Sequence, residues 1–266
     1  MSASSAGAAA PKPETSNFPL MELPTVGVLL AVAAGAMNAW SLANAATFST
    51  VQSGNVISMG YWLIQGDLAK FWFPFFAVLA FGLGSALCGV LMTTFQRSGR
   101  SYTPGVLLVG SVLLILLGIL AIVFVGSGEG RAAGVDLSAE HSATAHSIAL
   151  AISFIAGAQG NAFHKNKGML YGNVAVTFVV QMAFNFLVQS AFKREGLNGS
   201  TNLRWAGLFF MVLLGFSSGA AIGFGADQIL NGASIFIPAV ILIALFFVSL
   251  ARGFKKLDPT PGGSFA

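Results

Sequence analysis

Gln52-Ser53-Gly54-Asn55-Val56-Ile57-Ser58-Met59-Gly60-Tyr61-Trp62-Leu63-Ile64-Gln65-Gly66 is the stretch whose reading decides the fold. It lies between two long apolar segments. Its opening is polar and its second half apolar, and it is too short to cross a hydrocarbon core about 30 Å thick. Inside a bilayer every backbone N–H and C=O must find a partner within the protein or in a water-filled cavity. A glycine-containing polar opening followed by a short helix presents free N–H groups, which suit an anion or a carbonyl oxygen. The stretch therefore reads as a re-entrant or broken helix near the midplane.

The flanking sequence demands a membrane. Of 266 residues, 55% are hydrophobic and 8% charged, against roughly 25% charged in soluble domains. The 32 glycines suit close helix packing in lipid, where small residues let backbones approach. A single cysteine, Cys88, leaves no internal disulfide and reads as a small apolar side chain. The net charge of +4 is spread over short connections, not gathered on one basic face, so nucleic-acid binding is not expected.

Long apolar runs occupy residues 23–46, 70–94, 105–125, 146–163, 204–225 and 232–250, and each is long enough to span, 146–163 at the lower margin. Two further pieces, 55–65 and 174–192, are ambiguous. The second carries Gln181, Asn185 and Gln189 at near-helical spacing, a polar face that must meet protein or water. If neither piece crosses, all Lys and Arg except Lys70 and Arg131 fall on one side. The positive-inside rule favours that arrangement. The expected architecture is an all-α membrane protein of six transmembrane helices plus two short re-entrant or broken helices. Residues 1–20 read as a disordered cytoplasmic tail, 21–252 as one polytopic domain and 253–266 as a cytoplasmic tail. The expected location is the inner (plasma) membrane, with both termini cytoplasmic.

The halves 21–126 and 146–252 echo one another. Gly35-Ala36-Met37-Asn38-Ala39 returns as Gly157-Ala158-Gln159-Gly160-Asn161-Ala162. Phe81-Gly82-Leu83-Gly84-Ser85-Ala86-Leu87 returns as Phe216-Ser217-Ser218-Gly219-Ala220-Ala221-Ile222. Three spans per half make such repeats inverted, an arrangement recurrent in transporters.

These same residues resemble the YoaK family of uncharacterised bacterial inner-membrane proteins. The resemblance rests on Gly35-Ala36-Met37-Asn38-Ala39, Phe48, Ser53-Gly54-Asn55-Val56, Pro74, Ala77, Phe81 and Gly84, and on Gly157-Ala158-Gln159-Gly160-Asn161-Ala162. It covers roughly residues 25–250. The family pattern has an acid where this chain has Asn38, and a Thr-Gly pair that is missing here after Thr177. The resemblance implies a membrane fold but no established activity.

The substrate-binding candidates are Gln52, Ser53, Gly54, Asn55, Asn38, Gln159, Asn161, Gln181 and Asn185. Ser53 or Asn55 can cap a half-helix, and Gly54 lets a ligand approach its backbone. The same residues also fit the plain start of an interfacial helix. Asn38 and Asn161 can coordinate a solute or pin two helices together. Gln52, Gln181, Asn185 and Gln189 can line a shared cavity or satisfy broken backbone. No Asp, Glu, Lys or Arg falls inside an apolar run, which argues against coupling through a buried carboxylate. His141 and His146 stand five residues apart, a poor spacing for one helical face, so no metal site is expected. Trp40, Tyr61, Trp62, Phe71, Trp72, Tyr102, Tyr171 and Trp205 lie mostly near the ends of apolar runs and read as an interfacial belt. No phosphate loop, nucleophile elbow or paired-carboxylate site is visible, so the chain is not expected to be an enzyme or to hold a cofactor. The expected partners are the lipid bilayer, an unidentified small solute and further copies of the chain. The function expected is a transporter or permease for a small polar or anionic solute. A non-catalytic assembly role, in which glycines and amides serve only packing, is the alternative.

Overall fold

The computed structural model describes residues 20, 23–125, 141–163, 165–166, 169–170, 176–230, 232–252 and 258. The two tails, apart from residues 20 and 258, lie outside it. So do residues 126–140, which form most of the long connection, as well as His164 and Tyr171. The helices are α1 (Pro24–Ala45), α2 (Gln52–Gln65), α3 (Leu68–Arg97), α4 (Thr103–Leu120), α5 (Ala143–Ala162), α6 (Val176–Phe192), α7 (Asn202–Leu230) and α8 (Phe236–Arg252). A π turn, Ala121–Val125, continues α4, and a 3₁₀ turn, Ala233–Ile235, leads into α8. Two short strands, Lys165–Asn166 and Met169–Leu170, form a small hairpin after α5.

Five of these helical segments are long and apolar enough to cross a membrane: α1, α3, α4 with its π turn, α7, and α8 with its 3₁₀ turn. The chain is thus a multi-pass, almost wholly helical membrane protein. The sixth expected span, α5, has 20 residues but falls outside that set, its first turns carrying Thr144, His146 and Ser147. Helix α1 is the centre of the bundle. Its most apolar window is 72% buried, against 17% for α3.

Glycines set how the helices cross. A Cβ added to Gly35 would run into the carbonyl of Phe216, and one on Gly219 into the carbonyl of Val32. A Cβ added to Gly157 would run into the carbonyl of Phe81, and one on Gly84 into the carbonyl of Phe154. The two crossings use the same positions. Phe81 precedes Gly84 as Phe216 precedes Gly219, and Val32 precedes Gly35 as Phe154 precedes Gly157. Backbone meets backbone at both, which only glycine permits.

The contacts also fix direction. Val28 lies by Gly215, Val32 by Gly219 and Ala36 by Gly223, so α1 and α7 run parallel. Phe73 stacks on His146 and Phe81 meets Gly157, so α3 and α5 run parallel. Gln159, near the end of α5, donates from Nε2 to the Leu30 carbonyl near the start of α1 at 3.3 Å. At the opposite end Ala45 and His146 share a cavity. Helices α1 and α5 are therefore antiparallel. Gly110 faces Leu242 and Gly118 faces Phe236, so α4 and α8 are antiparallel as well. Arg97, Arg100, Lys193, Arg194 and Arg204 consequently fall at the end where α1 and α7 begin, and Lys70 falls at the other.

Three of the aromatics assigned to an interfacial belt are core residues instead. Trp40, Tyr102 and Trp205 are buried. The Trp40 indole N–H donates to the Gly232 carbonyl at 3.0 Å and that of Trp205 to the Leu197 carbonyl at 2.8 Å. An indole in the core needs such an acceptor, and residues near an apolar run's end supply it when a neighbouring turn folds over them. Tyr61 and Trp72 are exposed.

Candidate functional site: a polar vestibule beside a helix that doubles back

Helix α1 ends at Ala45 with Ala46 in the left-handed conformation, φ 47°. The chain then turns back along α1. The Thr50 N–H donates to Asn38 Oδ1 at 3.2 Å and its hydroxyl lies 3.5 Å from the Ala34 carbonyl. Eleven residues of helix separate Ala34 from Ala45, about 16 Å at 1.5 Å per residue. Residues 46–51 thus descend beside α1, and α2 returns along α3. A left-handed Gly66, φ 72°, closes the turn into α3, and Asp67 caps that helix by accepting the Lys70 N–H at 3.0 Å.

The sequence expectation for the start of α2 needs correcting. Neither Ser53 nor Asn55 caps the helix; Val51 is the N-cap residue and makes no side-chain bond. Ser53 is exposed. Gly54 does not leave room for a ligand, because a Cβ there would already lie 2.7 Å from the Phe48 ring. Asn55 is buried with its amide saturated. Its Oδ1 accepts from the Thr47 hydroxyl and the Phe48 N–H, each at 3.1 Å. Its Nδ2 donates to the Phe48 carbonyl at 2.6 Å and to Gln52 Oε1 at 2.8 Å. Gln52 in turn donates to the Ser49 carbonyl at 2.9 Å. These side chains satisfy the backbone of the descending segment, whose own ladder is missing.

The other amides are dispersed. Asn161 donates to the Ser85 carbonyl at 3.0 Å and ties α5 to α3. Gln159 lies on the opposite half of the bundle from α2. Gln181 and Asn185 are exposed on the outer side of α6, where Gln189 donates to Asn185 Oδ1 at 3.0 Å. The structure brings Asn38, Gln52 and Asn55 together around residues 47–50 and keeps the α6 amides away from them. The near-helical spacing of the α6 amides marks a polar face, but spacing along a helix does not say toward which neighbour that face turns.

Next to Asn55 is a cavity of about 510 Å³, bounded by the end of α1, α2 and the starts of α3 and α5. Ser58, Trp62, Asp67, Lys70, His141 and His146 line it. Lys70 lies 4.8 Å over the Trp62 ring and 3.8 Å from Asp67. His146 stacks on Phe73 with ring centroids 3.6 Å apart, and its Nδ1 is 3.1 Å from the Ser142 carbonyl. Accepting there, the carbonyl fixes Nδ1 as the protonated nitrogen. His141 Nε2 is buried without a hydrogen-bond partner. The vestibule thus offers both signs of charge and an unpaired imidazole nitrogen. Among the described residues no three His, Cys, Asp or Glu side chains gather in a way that could hold a metal ion.

A buried carboxylate lies just below the same end of the bundle. Helix α7 runs on past the apolar run read in the sequence and takes in Asp227, which is 6% exposed. Asp227 accepts from Asn44 Nδ2 at 3.0 Å and from the Ser234 hydroxyl at 3.1 Å. The sequence reading missed it because Asp227 falls just past residue 225, where that run was closed. Asn44 in the first span was the available signal, since a buried amide needs a partner.

Over residues 26–248 the chain matches a family described as protein of unknown function (DUF1275). No curated protein and no solved structure matches the chain.

Proposed function

We propose that this chain, which belongs to the DUF1275 family of proteins of unknown function, is a transporter or permease for a small polar or anionic solute. The observation that carries the reading is the descent of residues 46–51 along α1 to Asn38, with the return as α2 beside a polar vestibule. In this reading α2 is a re-entrant helix, because α1 arrives at and α3 departs from the same end of the bundle. Six helices cross, α5 among them, since α5 reaches from the end marked by Ala45 to the end marked by Leu30. The first half then runs out and back through α1 and α3, the second back and out through α5 and α7. The glycine crossings repeat with the helix directions reversed, which supports inverted repeats. Inverted repeats built around an interrupted helix recur in transporters, an analogy of architecture alone. The basic residues at the end where α1 begins support a cytoplasmic placement of that end, in an inner membrane.

The vestibule receives the solute, with the Lys70–Asp67 pair, the two imidazoles and Asn55 on its wall. The role is non-catalytic. The test is osmotic swelling of vesicles reconstituted with the full chain, using urea, glycerol, acetate and lactate as probes. A Ser58→Cys variant in a Cys88→Ala background should let at least one probe in faster than protein-free vesicles do. Reaction with a membrane-impermeant thiol reagent should then slow that uptake several-fold. Uptake that is unchanged by modification would remove the vestibule from the path, and no uptake of any probe would remove the transport reading.

One observation favours the assembly role. Gln181, Asn185 and Gln189 form an exposed polar stripe on an otherwise apolar helix. Amides in lipid are best satisfied across a helix–helix interface, which a second copy of α6 would provide. Disulfide formation between Asn185→Cys chains in vesicles, absent from a Gly207→Cys control, tests it.

A further inference from the structure

The geometry points to a second binding site, remote from the vestibule, for a small lipid-soluble molecule that carries one hydrogen-bond donor. A cavity of about 260 Å³ lies between α3, α4, α5 and α8. It occupies the half of the bundle where α1 begins, beyond the crossing of Gly84 with Phe154. Its wall is almost entirely aliphatic and aromatic. Tyr102 and Gln159 are the oxygen-bearing side chains in it.

Gln159 is 2% exposed. Its Nε2 is committed to the Leu30 carbonyl, whereas its Oε1 is buried with no donor. A buried acceptor left unpaired is costly, so a native site that keeps one has a reason for it. Water is a poor occupant here, because a held water needs two to four polar partners. An O–H or N–H on an apolar body meets both demands. The donor satisfies Oε1 and the body fills the greasy wall.

Access is from the side. Leu87 and Leu91 on α3 and Val109 and Leu113 on α4 line the cavity and are also exposed on the outer surface. Helices α3 and α4 are not among the helix pairs that pack closely on each other. The opening between them faces acyl chains in a bilayer, so the ligand arrives dissolved in the membrane. Size narrows the class further. An apolar cavity of about 150 Å³ takes a benzene. The space here admits a substituted single ring or an alkyl chain of about eight carbons. The class is therefore a medium-chain alcohol, a phenol or an indole-like heterocycle. The site does not depend on the transport reading, because it shares no residue with the vestibule.

The test is photolabelling of the full chain in vesicles with a diazirine analogue of 1-octanol, the adducts being mapped by peptide mass spectrometry. Adducts should concentrate on Leu91 and Val106. Excess 1-octanol should reduce them at least fivefold, and octane at the same bilayer concentration should do so less than twofold. In Gln159→Leu the advantage of the alcohol over the alkane should vanish. Adducts spread evenly over the lipid-facing surface overturn the proposal. So does octane competing as well as 1-octanol in the wild type, a comparison that stands even if Gln159→Leu does not fold.

Discussion

Asn38 Oδ1 holds the backbone N–H of Thr50 at 3.2 Å, and that bond sets how deep the chain between α1 and α2 descends. An amide oxygen can accept this bond as a carboxylate would, without a charge. Asn38→Leu should free the segment and leave the Thr50 N–H unpaired. The expected loss is about 1–3 kcal/mol, the cost of leaving a buried donor without its partner. Thermal unfolding in detergent measures it. Asn38→Asp should retain the bond, and near-wild-type stability for Leu together with a loss for Asp would contradict the assignment.

The glycine crossings predict a matched pair of failures. Gly35→Leu and Gly157→Leu each force a side chain into a facing backbone carbonyl, of Phe216 and Phe81 respectively. Backbone cannot repack as a side chain does, so each should cost more than the roughly 1–3 kcal/mol of ordinary overpacking. Gly82→Leu, where a Cβ meets nothing within 4 Å, should be tolerated. Yield of monodisperse protein on size exclusion distinguishes the three.

Asp227 and Asn44 should be energetically coupled. A double-mutant cycle of Asn44→Ala and Asp227→Ala should return about 0.5–3 kcal/mol of interaction energy, as expected for residues in one hydrogen-bond network. Asp227→Asn should be milder than Asp227→Ala, since one carbonyl oxygen still accepts from Asn44 or Ser234. Additive single mutants in chemical denaturation would show the pair to be uncoupled.

Beyond α8, the described residue Asp258 caps the start of α4. Asp258 accepts the backbone N–H groups of Tyr102 and Thr103 at 2.8 and 3.1 Å and the Thr103 hydroxyl at 2.5 Å. A carboxylate at a helix start satisfies orphan donors and meets the positive end of the helix dipole. Asp258→Ala should cost about 0.5–2 kcal/mol, the usual range for a lost cap. The loss should show as a lower midpoint in thermal unfolding, and truncation after residue 257 should reproduce it.

The orientation of the helices fixes sidedness. In a Cys88→Ala background, Gln65→Cys and Arg194→Cys should be labelled from opposite sides of the membrane by an impermeant thiol reagent. Labelling from the same side would overturn the re-entrant placement of α2.

Much of this was legible in the chain. The first apolar run, 23–46, became α1, and the ambiguous 55–65 became α2 with its polar opening included. The glycine echoes mark real close approaches, because a backbone contact tolerates no Cβ and so leaves a residue-level trace. Other parts left no such trace. Apolar periodicity ended α7 too early, since a helix continues through a paired Asp227 as readily as through a leucine. Nor did Trp40 show that it would be covered by the turn at Gly232, because a tryptophan near a run's end fits lipid headgroups and a protein core equally well.

The sequence alone determined that the chain lives in a membrane, where its long apolar segments lie and which glycine-bearing motifs its two halves share. Those properties follow from hydrophobicity and side-chain volume, which each residue carries with it. Only the tertiary structure decided what the stretch from Gln52 to Gly66 presents. Phe48 covers Gly54 and Asn55 spends its amide on residues 47–52, so the helix start is closed and the open polar space lies beside it. A side chain's hydrogen-bonding capacity is written in its type. Which partner uses that capacity depends on residues that only folding brings within 3 Å.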